Sequence, residues 1–211
     1  MTYLYVILFL AHASTSLAQD CISCKCFDVE ARPYAINQLV DKSPFYVQTI
    51  SPPSTYNKYD TICMDFSAIK GFENTTLVQV KYTTTDLEEI PLVYIESEIT
   101  QGIFSGVGAS YPDYNVLSAG SLGYKDYILT ASCDDVYLIY RCELIGRNLG
   151  CPLLRKMATV MVISPVRNER PACIQNEKVF AEFFADFKDI QFYDLPNKAE
   201  NPCPPPLEEI E

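Results

Sequence analysis

Tyr127-Ile128-Leu129-Thr130-Ala131-Ser132-Cys133-Asp134-Asp135-Val136-Tyr137-Leu138-Ile139-Tyr140-Arg141-Cys142 reads as two strands and the turn between them. Aromatic and branched aliphatic residues fill both arms, Tyr127 to Ala131 and Val136 to Cys142, and the acidic Cys133-Asp134-Asp135 interrupts them. Side chains of this kind pack well on a pleated surface, and a short apolar run bounded by turn residues is a strand. Working outward, the same grammar repeats. Thr75 to Thr84 alternates, with Val78, Val80 and Tyr82 on one face and Gln79 and Lys81 on the other. Thr61 to Ile69 places Met64, Phe66 and Ala68 on one face and ends at Lys70-Gly71. Period-two patterns of this kind mark strands with two different environments. Phe45 to Ile50 is stopped by Ser51-Pro52-Pro53, and Met157 to Ile163 by Ser164-Pro165. Further strands are expected at Leu92 to Glu98, near Ile103 and at Asn115 to Leu117. Roughly eight short strands in regular succession make an all-β sandwich or a closed up-and-down barrel.

The period then changes. Val179, Phe180, Phe183, Phe184 and Phe187 recur at helical spacing, with Glu177, Lys178, Glu182, Asp186 and Lys188 between them. This predicts one amphipathic C-terminal α-helix, capped by Asn176 and packed on the outside of the sheet. A short strand at Gln191 to Tyr193 follows.

The chain has 211 residues. Leu4 to Ala11 is apolar, and Ser16-Leu17-Ala18 offers small residues before a cut at Gln19. The expected organisation is a signal peptide over 1–18, one domain over 19–203, and a flexible acidic tail over 204–211. The leading run is far short of the ~20 apolar residues that span a bilayer, and no later stretch is long enough to form a transmembrane segment. The expectation is a secreted, extracellular protein. Its formal charge of -11 repels phosphate backbones, so nucleic acid is not expected as a partner.

The one histidine, His12, lies in the leader. Without it no Ser-His or Cys-His catalysis and no His-ligated metal is open to the secreted chain. Acidic pairs such as Glu88-Glu89 and Asp134-Asp135 are adjacent in sequence, so on a strand they point to opposite faces. The expectation is a non-enzyme with no cofactor and no metal.

Nine cysteines occupy positions 21, 24, 26, 63, 133, 142, 151, 173 and 203. Behind a leader peptide they read as a disulfide framework. A thiolate metal site or redox pair at Cys21, Cys24 and Cys26 lacks the second CxxC that would complete a zinc tetrad. The odd count leaves one thiol free, or available to a disulfide-linked or non-covalent oligomer. Asn74-Thr75-Thr76 is an N-glycosylation sequon at an expected turn, which would make the chain a glycoprotein.

The order of strands, late helix and final short strand resembles the lipocalins. Tyr127 to Cys142 looks like the paired late strands of the apolipoprotein D and Lazarillo group. Val162-Ile163-Ser164-Pro165-Val166-Arg167-Asn168 resembles the third family motif, and Asn201-Pro202-Cys203-Pro204 the group's C-terminal cysteine. Leu39 to Ser51 resembles the first motif, with Ser43 and Phe45 where the family has glycine and tryptophan. Ala131, Ser132 and Cys133 stand in place of the second motif's Thr-Asp-Tyr. The resemblance implies an eight-stranded up-and-down antiparallel barrel that binds a small hydrophobic ligand. It implies that Phe45 and Arg167 close the base of the barrel as a cation–π pair. It implies disulfides Cys26–Cys142 and Cys63–Cys203. Cys133 and Cys173 would then both fall near the closed end and are expected to pair, leaving Cys151 for Cys21 or Cys24.

Alternation and the family's strand order give Phe66, Val80, Tyr82, Tyr94, Phe104, Tyr127, Leu129 and Tyr137 as candidates for the lining of the barrel. Such a wall buries hydrocarbon and offers a few hydroxyls to a head group. Fatty acids, sterols, retinoids and pigments all fit that description. The alternative is a secreted interaction or modulator protein whose barrel is filled and whose loops do the work.

Overall fold

A computed structural model describes residues 29–51, 56–109, 123–132, 135–144, 158–167 and 191–204. The leader expected at 1–18, the helix expected at 177–188, the strand expected at Asn115 to Leu117 and Cys21, Cys24, Cys26, Cys133, Cys151 and Cys173 lie outside the described residues. Among the described residues one short helix, α1 (Ile36–Lys42), precedes nine strands. These are β1 (Phe45–Ser51), β2 (Tyr59–Ile69), β3 (Phe72–Thr84), β4 (Glu89–Thr100) and β5 (Ile103–Ala109). They continue with β6 (Gly123–Ser132), β7 (Val136–Leu144), β8 (Ala158–Ser164) and β9 (Tyr193–Asp194).

Strands β2 to β8 pair antiparallel in chain order, and β1 closes the ring. Its first residues face β2, with Phe45 opposite Met64 and Tyr46 opposite Cys63. Its other edge runs along β8 from Tyr46, opposite Ser164, to Ser51, opposite Val160. The result is a closed eight-stranded up-and-down barrel, the arrangement that leaves no long unpaired edge. The register of β1 slips between Val47 and Thr49. That bulge lets Val47 and Ile50, which a regular strand would place on opposite faces, both join the interior cluster. Past the bulge, β9 takes the place of β2 beside β1, pairing Thr49 with Asp194 and Ile50 with Tyr193.

Helix α1 was not foreseen from the sequence. It has seven residues and buries only Ile36 and Leu39, a single turn of apolar spacing that carries no visible periodicity. The Gln38 side chain accepts the Ala35 N–H at its start, and the Glu98 carboxylate accepts the Ile36 N–H at 2.9 Å. Ile36 and Leu39 plug the end of the barrel where β1 begins. Tyr34 adds an edge-on contact to Tyr137, which in turn meets Phe45 edge-on at 5.4 Å. The lead-in strand of chain is tied across this end by Arg32 N–H to the Ile128 carbonyl and Gly102 N–H to the Tyr34 carbonyl. Gly102 has φ +82, and a Cβ there would sit 1.8 Å from the Arg32 carbonyl oxygen, so only glycine fits.

The C-terminal strap lies along β1 and β2. Leu195 N–H donates to the Gln48 carbonyl, Asn197 N–H to the Asp60 carbonyl, and the Asn197 amide to the Val47 carbonyl. The Asp60 carboxylate accepts Lys198 and Ala199 N–H at 2.8 and 2.9 Å and the Thr61 hydroxyl at 2.7 Å. Burial raises its pKa, but those donors and the Lys198 charge outweigh it, and the carboxyl is held below its ordinary value. Cys63 and Cys203 form the expected disulfide, with a Cα–Cα distance of 5.0 Å, and fasten the strap to β2. Cys142 is disulfide-bonded as well. Its expected partner, Cys26, is outside the described residues.

The expected stacking of Arg167 on Phe45 is corrected. The Arg167 guanidinium donates to the carbonyls of Asn197, at 2.7 Å, and Ala199. Among the described residues the cations over rings are Lys58 over Tyr59 and Arg141 over Tyr124. The strap offers Arg167 fixed carbonyl acceptors, and a charge-assisted hydrogen bond outweighs a ring face. Phe45 is fully buried and packs edge-on against Phe66 and Tyr137.

Candidate functional site in the barrel interior

Alternate residues of each strand face inward, and the interior is one cluster from wall to wall. Near the α1 end it is aromatic and aliphatic, built from Ile36, Leu39, Phe45, Phe66, Tyr137 and Ile163. At the opposite end a ladder of tyrosines lines the wall. Tyr56 and Tyr59 have ring centres 6.3 Å apart, and Tyr59 and Tyr82 are 5.1 Å apart. The Tyr56 hydroxyl bonds Thr159 of β8 at 3.0 Å.

Between those regions the wall is polar. Asp126 of β6 and Arg141 of β7 oppose one another directly. Both arms of the guanidinium donate to the carboxylate, Nε to Oδ1 at 2.8 Å and Nη2 to Oδ2 at 2.7 Å. Both side chains are almost wholly buried. Burial works against the Arg141 charge, yet the Asp126 carboxylate overrides it and holds the guanidinium protonated well above its ordinary range. The guanidinium also lies 3.8 Å from the centre of the Tyr124 ring, the geometry of a cation–π contact.

One register row adjoins this pair. Thr76 of β3 is opposite Glu96 of β4, Glu96 is opposite Gly106 of β5, and Gly106 is opposite Tyr124 of β6. The Tyr124 ring crosses above Gly106. A Cβ on that glycine would come within 2.1 Å of the ring carbon that bears the hydroxyl. The missing side chain is therefore what lets the phenol reach across β5 toward β4. Tyr94 meets the same ring edge-on at 5.1 Å.

In this row the Thr76 hydroxyl has no hydrogen-bond partner, and the Tyr124 hydroxyl and the Glu96 carboxyl, neither of which finds another partner, face one another, Tyr124 lowering the Glu96 pKa as a donor. All three side chains are buried, Glu96 to 1% exposure. Burial pushes the Glu96 carboxyl up, and the nearby Asp126 charge adds to it, to a pKa of about 8. Burial and the Glu96 charge likewise raise Tyr124 well above its ordinary value. The row can both give and accept hydrogen bonds, and Glu96 can gain or lose a charge near neutrality.

Of the residues expected to line the barrel, Phe66, Val80, Tyr94, Phe104 and Tyr137 belong to the interior cluster, and Tyr82 packs against it. The placement of Tyr127 and Leu129 is corrected. They lie on the outer face of β6, in a second cluster with Val136, Leu138, Tyr140, Cys142, Val160 and Val162. Asp126 and Ile128 take the inward positions instead. Both faces of β6 to β8 are apolar, so alternation alone could not say which face was inside. Burial pushes the Tyr137 hydroxyl up to about 12. Asn74 is exposed near the start of β3, three residues past the Gly71 turn.

Glu96, Tyr124, Asp126 and Arg141 were missed as site residues. Their signal was a charged residue in phase with apolar ones, as in Tyr124-x-Asp126-x-Ile128 and Tyr94-x-Glu96. Among the described residues no group of His, Cys, Asp and Glu is arranged to hold a metal, and no helix is long and apolar enough to cross a membrane.

No protein-family model matches the sequence, and no curated protein matches it. Solved structures similar to this chain include lobster apocrustacyanin A1, at 11% identity and a TM-score of 0.46, over 83% of this chain and 93% of that one. Apocrustacyanin C2 is similar at 10% identity and a TM-score of 0.47, over 81% of this chain and 92% of that one. The assignment of a closed barrel rests on the strand order, not on these likenesses.

Proposed function

We propose that the protein is a secreted lipocalin-like carrier that holds a small hydrophobic molecule inside its barrel and has no enzymatic activity. The observation that carries this reading is the interior itself. An apolar and aromatic wall, plugged at one end by α1, surrounds a buried row of polar groups that the rest of the protein leaves unpartnered. Buried polar atoms are satisfied in the great majority of cases, and unsatisfied ones call for a partner from outside. Pockets for small molecules combine apolar walls with a few polar groups that fix orientation. The leader peptide, the sequon and the disulfide fit an oxidising, extracellular setting. Fatty acid, sterol, retinoid and pigment bodies are all compatible with the wall.

The test is fluorescence titration of the oxidised protein with Nile red, a neutral apolar dye. A saturable rise with one dye per chain, reversed by an apolar competitor, is the expected result. A protein that leaves the dye dark is a filled barrel, and its function then lies in its loops.

A further inference from the structure

We propose that Glu96, Thr76 and Tyr124 form a head-group subsite for a primary ammonium, so that the carried molecule is an apolar body bearing one amine. The proposal rests on the carrier reading and narrows it. Three observations support it. First, the charges of the polar layer do not balance. Arg141 and Asp126 satisfy each other in a bidentate pair, and Glu96 beside them makes no ion pair among the described residues. Once Glu96 is ionised, two buried carboxylates and one guanidinium leave room for one positive charge. Second, the atoms of the row are matched to an ammonium. A primary ammonium has three N–H donors. The row offers the Glu96 carboxylate, the Thr76 hydroxyl and the Tyr124 hydroxyl as acceptors, on adjacent or near-adjacent strands. Third, the wall around them is aromatic. Tyr94 and Tyr124 stand at Glu96's side of the barrel, and ring faces favour cations.

Other head groups fit worse. A fatty acid carboxylate would lie against Asp126 and Glu96, with the Arg141 guanidinium, the one buried among the described residues, already committed. An alcohol or ketone needs no ionisable group, and a buried glutamate is costly where a glutamine would hydrogen-bond as well.

The titratable groups that share this interior are Tyr34 and Tyr56, Tyr59 of β2, Tyr82 of β3, Tyr94 and Glu98 of β4, Tyr124 and Asp126 of β6, and Tyr137 and Arg141 of β7; β5 places Phe104 and Gly106 here and no titratable group. In the unliganded barrel Glu96 keeps its proton up to about pH 8. An ammonium entering from water binds the ionised form, so one proton leaves as the ligand arrives. Affinity for the amine then rises about tenfold per pH unit between pH 6 and pH 8 and levels above it.

The experiment compares decylamine, decanol and decanoate as competitors of Nile red at pH 8, on the wild-type protein and on E96Q. The expected result is that decylamine competes at least tenfold better than either partner, and that E96Q abolishes this preference while leaving decanol unchanged. The pH dependence of decylamine binding to the wild type, with decanol as the flat control, gives a second readout that needs no variant. Equal competition by all three molecules, a preference retained in E96Q, or a flat pH profile for the amine overturns the ammonium subsite and leaves the carrier intact. Failure of Nile red and of all three competitors to bind overturns the carrier reading itself, and this proposal with it.

Discussion

Replacing Glu96 with glutamine tests the buried carboxyl through stability alone. The ordinary glutamate pKa is 4.5, and inside the barrel it is about 8. Between those values the folded protein holds a proton that the unfolded chain releases. The folded pKa is raised, and the group is an acid, so its stabilising contribution is greatest below pH 4.5 and is lost as pH rises toward 8. The loss is ~1.4 kcal/mol per pH unit inside the window and about 5 kcal/mol across all of it. Above the folded pKa both states are ionised and the slope vanishes. Glutamine has nearly the same shape and no titration. The difference in unfolding free energy, E96Q minus wild type, should therefore climb by about 3–4 kcal/mol from pH 5 to pH 8. Every other titrating group cancels in that difference. Urea unfolding of both proteins with disulfides intact, at four pH values, measures it. A difference that stays flat across the window would mean that Glu96 is ionised or solvated, and the description of the polar row would be wrong.

Two further outcomes follow from the geometry. Cys203→Ser opens a covalent loop whose ends are 140 residues apart, and removing that constraint costs up to about 5 kcal/mol in the chain-entropy account. Urea midpoints of C203S against the wild type read the loss, and limited proteolysis should then cut first within 195–204. Asp126→Leu takes from buried Arg141 the carboxylate that pairs it and should cost about 3–5 kcal/mol, most of which the double variant D126L with R141M regains. A thermal double-mutant cycle checks this, and simple additivity of the two single losses would contradict the pairing.

The strands were legible because branched and aromatic residues recur at every second position, and Met64, Phe66, Val78 and Val80 announce the inward face two residues at a time. Closure was less visible. β1 meets β2 through only Phe45 and Tyr46 before a bulge at Gln48, and no residue type marks so short a pairing or such a slip. The α1 plug escaped because Ile36 and Leu39 form one apolar pair, too short a record for periodicity to register. The inner face of β6 was misread because Leu129 and Ile128 are equally apolar, and choosing between them needs the partner strand. The polar row was hidden for a related reason. A glutamate or aspartate in an alternating strand normally marks the wet side, so charge alone does not single out Glu96 and Asp126. What betrays them is phase: each shares its parity with a tyrosine that the barrel buries. The Cys63–Cys203 bridge was legible only through family resemblance, since spacing alone cannot assign partners among nine cysteines.

The first strand of the barrel depends on the last stretch of the chain. Beyond the bulge, β1 has β9 as its neighbour on the β2 side, and the carbonyls of Val47, Gln48 and Asp60 are met by groups between Leu195 and Asn197. During synthesis these partners emerge from the ribosome about 145 residues after the strand they complete. The wall therefore has a seam that stays open throughout translation, and it is sealed only when the finished chain folds back on its own beginning. The Cys63–Cys203 disulfide fastens that seam covalently, so the last stretch of the chain cannot peel from the first strand's neighbour without a bond breaking.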